Sequence, residues 1–98
     1  MTNNHLPQCF PKIQMIIAVN TGNKITDVNP QADLVSDLGL NLPIDLPEII
    51  YTLNYEYQAE NLNMDPEEIG EELELTGGQN VLELAKIVQE IRDLGWWA

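Results

Sequence analysis

The sequence predicts an all-α fold: a four-helix bundle with a long loop between helices one and two. Three observations predict it. Apolar residues recur at i, i+3, i+4 and i+7 in several stretches. Acid-proline pairs and glycines stand where such stretches begin and end. No Asn-Gly or Asp-Gly turn sits between alternating runs, so hairpins have no seed.

The elements follow in order. Residues 1–9 carry Asn3, Asn4 and Pro7 without periodicity and read as a loose N-terminal arm. Residues 10–98 read as a single domain. Pro11 suits a first helical turn, where its missing N–H is harmless. Ile13, Ile16 and Ile17 recur behind it, and Gly22 stops the run, which predicts helix one over residues 11–21. Asn23, Asn29, Pro30, Gly39, Asn41 and Pro43 punctuate residues 23–44 and exclude a long helix. Yet Ile25, Val28, Leu34, Leu38, Leu40 and Leu42 are spread through that stretch. Such a loop crosses the core and pins these side chains there, with a short turn at Asp33 to Leu38.

Asp45-Leu46-Pro47-Glu48 reads as the start of helix two, over residues 46–59, with Asp45 as cap and Glu48 reaching back. Ile49, Ile50, Leu53 and Tyr57 share its inner face. Tyr51 and Tyr55 form an outer i, i+4 pair. Asp65-Pro66-Glu67-Glu68 repeats the grammar and starts helix three, over residues 66–74. Ile69, Leu73 and Leu75 are its inward candidates, and Thr76-Gly77-Gly78 ends it. Asn80 caps helix four, whose stripe is Val81, Leu84, Ala85, Val88, Ile91 and Leu94. Gly95 ends it, and Trp96 and Trp97 either fold back or protrude.

Charge narrows the function. Acids outnumber bases 16 to 4, for a formal net charge of −12. Four bases cannot neutralise a run of phosphates, so no nucleic-acid partner is expected. An anionic membrane surface is disfavoured for the same reason. A protein partner with a basic patch is favoured, because opposite fields steer encounter. Residues 1–44 hold Asp27, Asp33 and Asp37 against Lys12 and Lys24, whereas the rest holds 13 acids against Lys86 and Arg92. The run from Glu60 to Glu74 contains no base, and it reads equally as a solvated face.

Cys9 is the one cysteine, so neither a disulfide framework nor a Cys-rich zinc site is expected. The glutamates of helix three have no EF-hand spacing, so no dedicated metal site is expected. A Ser-His-Asp triad is improbable with only His5 and Ser36, so no enzyme is expected. Residues 1–8 lack the basic-then-apolar layout of a signal peptide, and the expected setting is cytoplasmic, as a monomer.

Beyond composition, the layout from about Ile25 to Ile91 resembles the acyl carrier protein family. Ile25-Thr26 to Asn29-Pro30 and Ser36-Asp37-Leu38-Gly39 are similar to the loop leading into its Asp-Leu-Gly signature. Glu48 to Tyr57 resembles its second helix, Asn63 to Glu68 the turn before its third, and Val81 to Ile91 its fourth. The resemblance implies an acyl-carrier-protein-like four-helix bundle. It also implies acidic residues at Asp45, Glu48 and Glu56 that dock on basic patches of enzymes of acyl, polyketide or peptide synthesis.

The sequence departs from the family where the cargo is held. The family carries 4'-phosphopantetheine on a serine just before the second helix. That position holds Leu42 or Pro43 here, in a stretch one residue longer than usual. Neither has a hydroxyl, so no prosthetic arm is expected there. Ser36, the one serine, is the alternative attachment residue, and phosphopantetheine is expected only if Ser36 is modified. Its plainer role is a solvated or capping hydroxyl in a loop turn. A thioester on Cys9 ranks below both. The stretch from Met64 to Val81 is also longer than usual, which changes the mouth of the family's acyl cavity.

Overall fold

The computed structural model describes residues 6–77 and 79–94. Four helices form: α1 (Phe10–Thr21), α2 (Leu42–Glu56), α3 (Pro66–Thr76) and α4 (Val81–Leu94). Single 3-10 turns stand at Ile25–Asp27 and Gln58–Glu60. No strand occurs among the described residues, only an isolated bridge between Asp33 and Asn80. Each helix packs on the next, and α4 closes the ring on α1. The core is apolar throughout, with no buried polar side chain among the described residues.

The helix ends follow local chemistry. Gly22 and Gly77 take the left-handed conformation (φ 76° and 73°) that ends α1 and α3, a shape in which a Cβ is strained. Asp65 accepts from the Glu67 N–H at 3.0 Å and Asn80 from the Glu83 N–H at 2.8 Å, as the cap reading expected.

Helix α2 starts four residues before the expected Leu46. Its N-cap is Asn41, and Leu42 and Pro43 form its first turn. Asp45 is not the cap. Its Oδ2 accepts from the Asn41 N–H at 2.7 Å, the reach-back role expected of Glu48. Pro47 misled the reading: it reads as a first-turn proline, yet it lies inside α2, where it forgoes the bond to the carbonyl four residues back.

The long loop behaves as a core element. Val28, Leu34, Leu38 and Leu40 are buried, and Leu42 packs against them half-buried. Ile25 departs from expectation and is 44% exposed. Its carbonyl, with that of Val28, accepts from Gln14 Nε2 on α1, so the backbone rather than the side chain is what that turn anchors.

Loop and α4 are stitched together. The Val81 N–H donates to the Ala32 carbonyl at 3.1 Å and the Leu82 N–H to the Pro30 carbonyl at 3.0 Å. The Leu34 N–H donates to the Gln79 carbonyl at 2.7 Å. The first N–H groups of a helix lack partners within it, and here the loop supplies them. Asn54 plays a similar part between α2 and α3, exchanging two hydrogen bonds with the Met64 backbone at 2.8 and 3.0 Å.

Two side chains expected inward point outward: Leu75 is 80% and Leu94 70% exposed, each at the end of its helix. Cys9, expected in the loose arm, is buried beside α4. Trp96 and Trp97 lie outside the described residues.

Candidate functional site

A groove of about 730 Å³ opens between the first turns of α2 and the face of α3. One wall is Leu42, Pro43, Leu46 and Pro47, and Leu40 and Leu73 lie beneath. The opposite side carries Glu67, Glu71 and Glu74 with Gly70 between them. A glycine inside a helix costs about 1 kcal/mol relative to alanine. A Cβ at Gly70 would meet nothing nearer than Leu46 Cδ2 at 3.6 Å, so the position is open rather than crowded. Sequence reasoning missed this groove. Its signal was present in Gly70, a helix-weakening residue in an otherwise well-capped helix.

The residues expected at the attachment position line its mouth. Leu42 and Pro43 occupy the first turn of α2, and neither offers an oxygen nucleophile. Ser36 stands apart, in the exposed turn that precedes α2. Its N–H donates to Asp33 Oδ1 at 2.8 Å. Hydrogen bonds from the Ser36 and Val35 N–H groups hold the Asp33 carboxyl below the usual carboxylate range. The turn is thus a closed Asx arrangement with the serine folded into it.

Cys9 is unsuited to carrying a thioester. Its side chain is 1% exposed, and Sγ donates to the Ala85 carbonyl at 3.2 Å. Its N–H donates to Gln89 Oε1 at 3.0 Å. Burial pushes the thiol up to about 11, against the pull of Arg92 and a backbone hydrogen bond. The nucleophilic thiolate is therefore scarce near neutrality.

The three acids expected to dock a partner have different duties. Asp45 is half-buried and ties down the Asn41 N–H. Glu56 pairs with Lys12 at 3.1 Å. Glu48 is exposed, beside Ile44, Tyr51 and Tyr55 on the outer stripe of α2. Tyr51 and Tyr55 are exposed and Tyr57 is buried, as their spacing expected.

Three of the four bases are used elsewhere. Arg92 forks onto Glu60 at 2.9 and 3.2 Å, and its guanidinium lies 4.3 Å from the centre of the Tyr57 ring. Lys12 lies over the same ring at 5.5 Å, and Lys86 pairs with Glu83 at 3.6 Å. No described ion pair involves an α3 glutamate, so the acidic side of the groove faces outward with its charge uncompensated by the described bases. Among the described residues no group of acids, histidine or cysteine is gathered to hold a metal ion. No described helix is long and apolar enough to cross a membrane. No family model, curated protein or solved structure matches the chain.

Proposed function

We propose that this chain is an acyl-carrier-protein-like protein that works by non-covalent docking on a basic partner, an enzyme of acyl, polyketide or peptide synthesis. It carries no prosthetic arm and catalyses no reaction of its own. The observation that carries this reading is the first turn of α2. The position that resembles the family's attachment site is Leu42-Pro43, in the first turn of α2. A phosphodiester to phosphopantetheine needs a hydroxyl there. The acidic surface of α2 and α3 is what remains to act with.

Intact mass tests the first half. After incubation with coenzyme A and a broad-specificity phosphopantetheinyl transferase, the mass is expected to stay unchanged. A gain of one phosphopantetheine, lost in Ser36→Ala, would make the chain a carrier with a displaced site. Docking is tested on an acyl-synthesis enzyme that bears a basic carrier-binding patch. Glu48→Lys and Glu56→Lys are expected to weaken association, and so is high salt. Glu48→Lys is the cleaner change, because Glu56 also holds Lys12. Association that tolerates both changes and ignores salt would sink the docking reading.

A further inference from the structure

We propose that the groove between α2 and α3 seats a basic amphipathic helix of the partner, with apolar anchors in the groove and Lys or Arg side chains on Glu67, Glu71 and Glu74. This rests on the docking reading and moves its centre from the outer face of α2 to the α2–α3 cleft.

Shape supplies the first argument. At about 730 Å³ the groove has room for more than one apolar side chain. Its α2 wall is hydrocarbon along two turns, from Leu42 to Pro47. Gly70 keeps the opposite side low, and a larger side chain there would project into the cleft.

Charge and spacing choose the occupant. Glu67, Glu71 and Glu74 stand at i, i+4 and i+7, so they form one line along α3, about 10 Å long. A helix laid beside that line repeats at the same spacing and meets it with bases at i, i+4 and i+7. Lys12, Lys86 and Arg92 are engaged by acids outside α3, and no described ion pair joins the fourth base, the exposed Lys24, to α3, so the complementary charge has to come from outside. A lipid chain would match the hydrocarbon wall and leave the glutamates unanswered. A second copy would bring its own acidic α3 against them, in a protein of net charge −12. A basic amphipathic helix satisfies both sides of the cleft.

The probe is a fluorescently labelled synthetic helix with leucines on one face and lysines at i, i+4 and i+7, beside a scrambled peptide of equal composition. Binding to the full chain is read by anisotropy across a salt series. The amphipathic peptide is expected to bind, and the scrambled one to bind about tenfold more weakly. Gly70→Leu fills the cleft and keeps every charge, and should weaken binding by about tenfold or more. Glu67→Gln, Glu71→Gln and Glu74→Gln together keep the cleft and should weaken binding as much, while flattening its salt dependence. Glu90→Lys, an exposed charge change on α4 outside the groove, should change peptide binding less than about twofold. Circular dichroism establishes that each variant folds, and the triple glutamine variant carries the test if Gly70→Leu does not.

Equal binding of the scrambled peptide would reduce the effect to unspecific charge attraction and overturn the proposal. So would binding unchanged by either groove variant, or no binding of the amphipathic peptide. Dimerisation that Gly70→Leu abolishes would assign the cleft to a second copy. Saturable uptake of a fatty acid without peptide binding would assign it to a lipid chain. If the peptide fails while Glu48→Lys still disrupts salt-sensitive docking on the enzyme, the groove assignment falls and the docking reading stands. If the peptide passes every arm and Glu48→Lys leaves enzyme docking intact, the groove stands and the α2 face falls.

Discussion

Cys9 shows how one buried side chain links packing to chemistry. Its thiol is buried beside α4 and donates to the Ala85 carbonyl, and burial disfavours the thiolate there. Alkylation by iodoacetamide at pH 8 should therefore run at least about a hundredfold more slowly in the folded protein than in urea. Mass-resolved labelling checks it, and equal rates would place the thiol outside the core. The same shift fixes a pH dependence. The folded thiol titrates near 11 and the unfolded one near its ordinary value of 9.0, so the unfolded state loses its proton first. The stability this gap provides is fully present below pH 9 and is lost between about pH 9 and 11. The loss is on the order of 2 kcal/mol. Urea melts of the wild type and Cys9→Ala isolate it, because their difference should shrink across that window.

Among the elements, the crossing loop carries more of the fold than its lack of regular structure suggests. It buries Leu34 completely and supplies acceptors to the start of α4. Leu34→Ala should cost about 2–5 kcal/mol, as for a leucine in a helix core. A cost under about 0.5 kcal/mol in urea denaturation would make the loop a mere tether. Asn80→Ala removes the side-chain acceptor of the Glu83 N–H and should cost about 1 kcal/mol. Amides of Leu82 and Val81 should stay protected in hydrogen exchange in that variant, because Pro30 and Ala32 still accept from them. The Glu83 amide should lose protection first.

For the whole molecule, charge is the dominant strain. A net charge of −12 sits on a body with a radius of gyration of 12.6 Å, about one and a half Debye lengths at physiological salt. The described ion pairs are surface pairs that involve α1, the last residue of α2, the turn after it and α4, and exposed pairs of that kind contribute about 0–1 kcal/mol each. Repulsion on and around α3 is left without a described base. Adding sodium chloride should therefore raise the melting temperature by several degrees. A lower melting temperature in salt would mean that the ion pairs outweigh the repulsion. The triple glutamine variant of α3 should melt higher at low salt and show a smaller salt response.

Helix periodicity, caps and stop glycines were legible in the sequence because they act within a few residues. Isoleucine spacing and Gly22 located α1; Asp65-Pro66 started α3, and Asn80 started α4. The acid-base imbalance that favours a basic partner is likewise a property of composition alone. Local rules failed where two starts compete. Asp45 reads as the cap of α2, but the helix begins after Asn41, where Leu40 is buried and Leu42 packs partly buried against the core. Leu75 and Leu94 fit their stripes by spacing, but they sit at the ends of their helices and stay exposed. The partition of the acids was also invisible: only folding brings Lys12 to Glu56 and Arg92 to Glu60, 44 and 32 residues apart, leaving the glutamates of α3 facing outward. The groove is of the same kind. Its walls come from two helices and a loop, so its existence depends on how they pack, which no single stretch of sequence encodes.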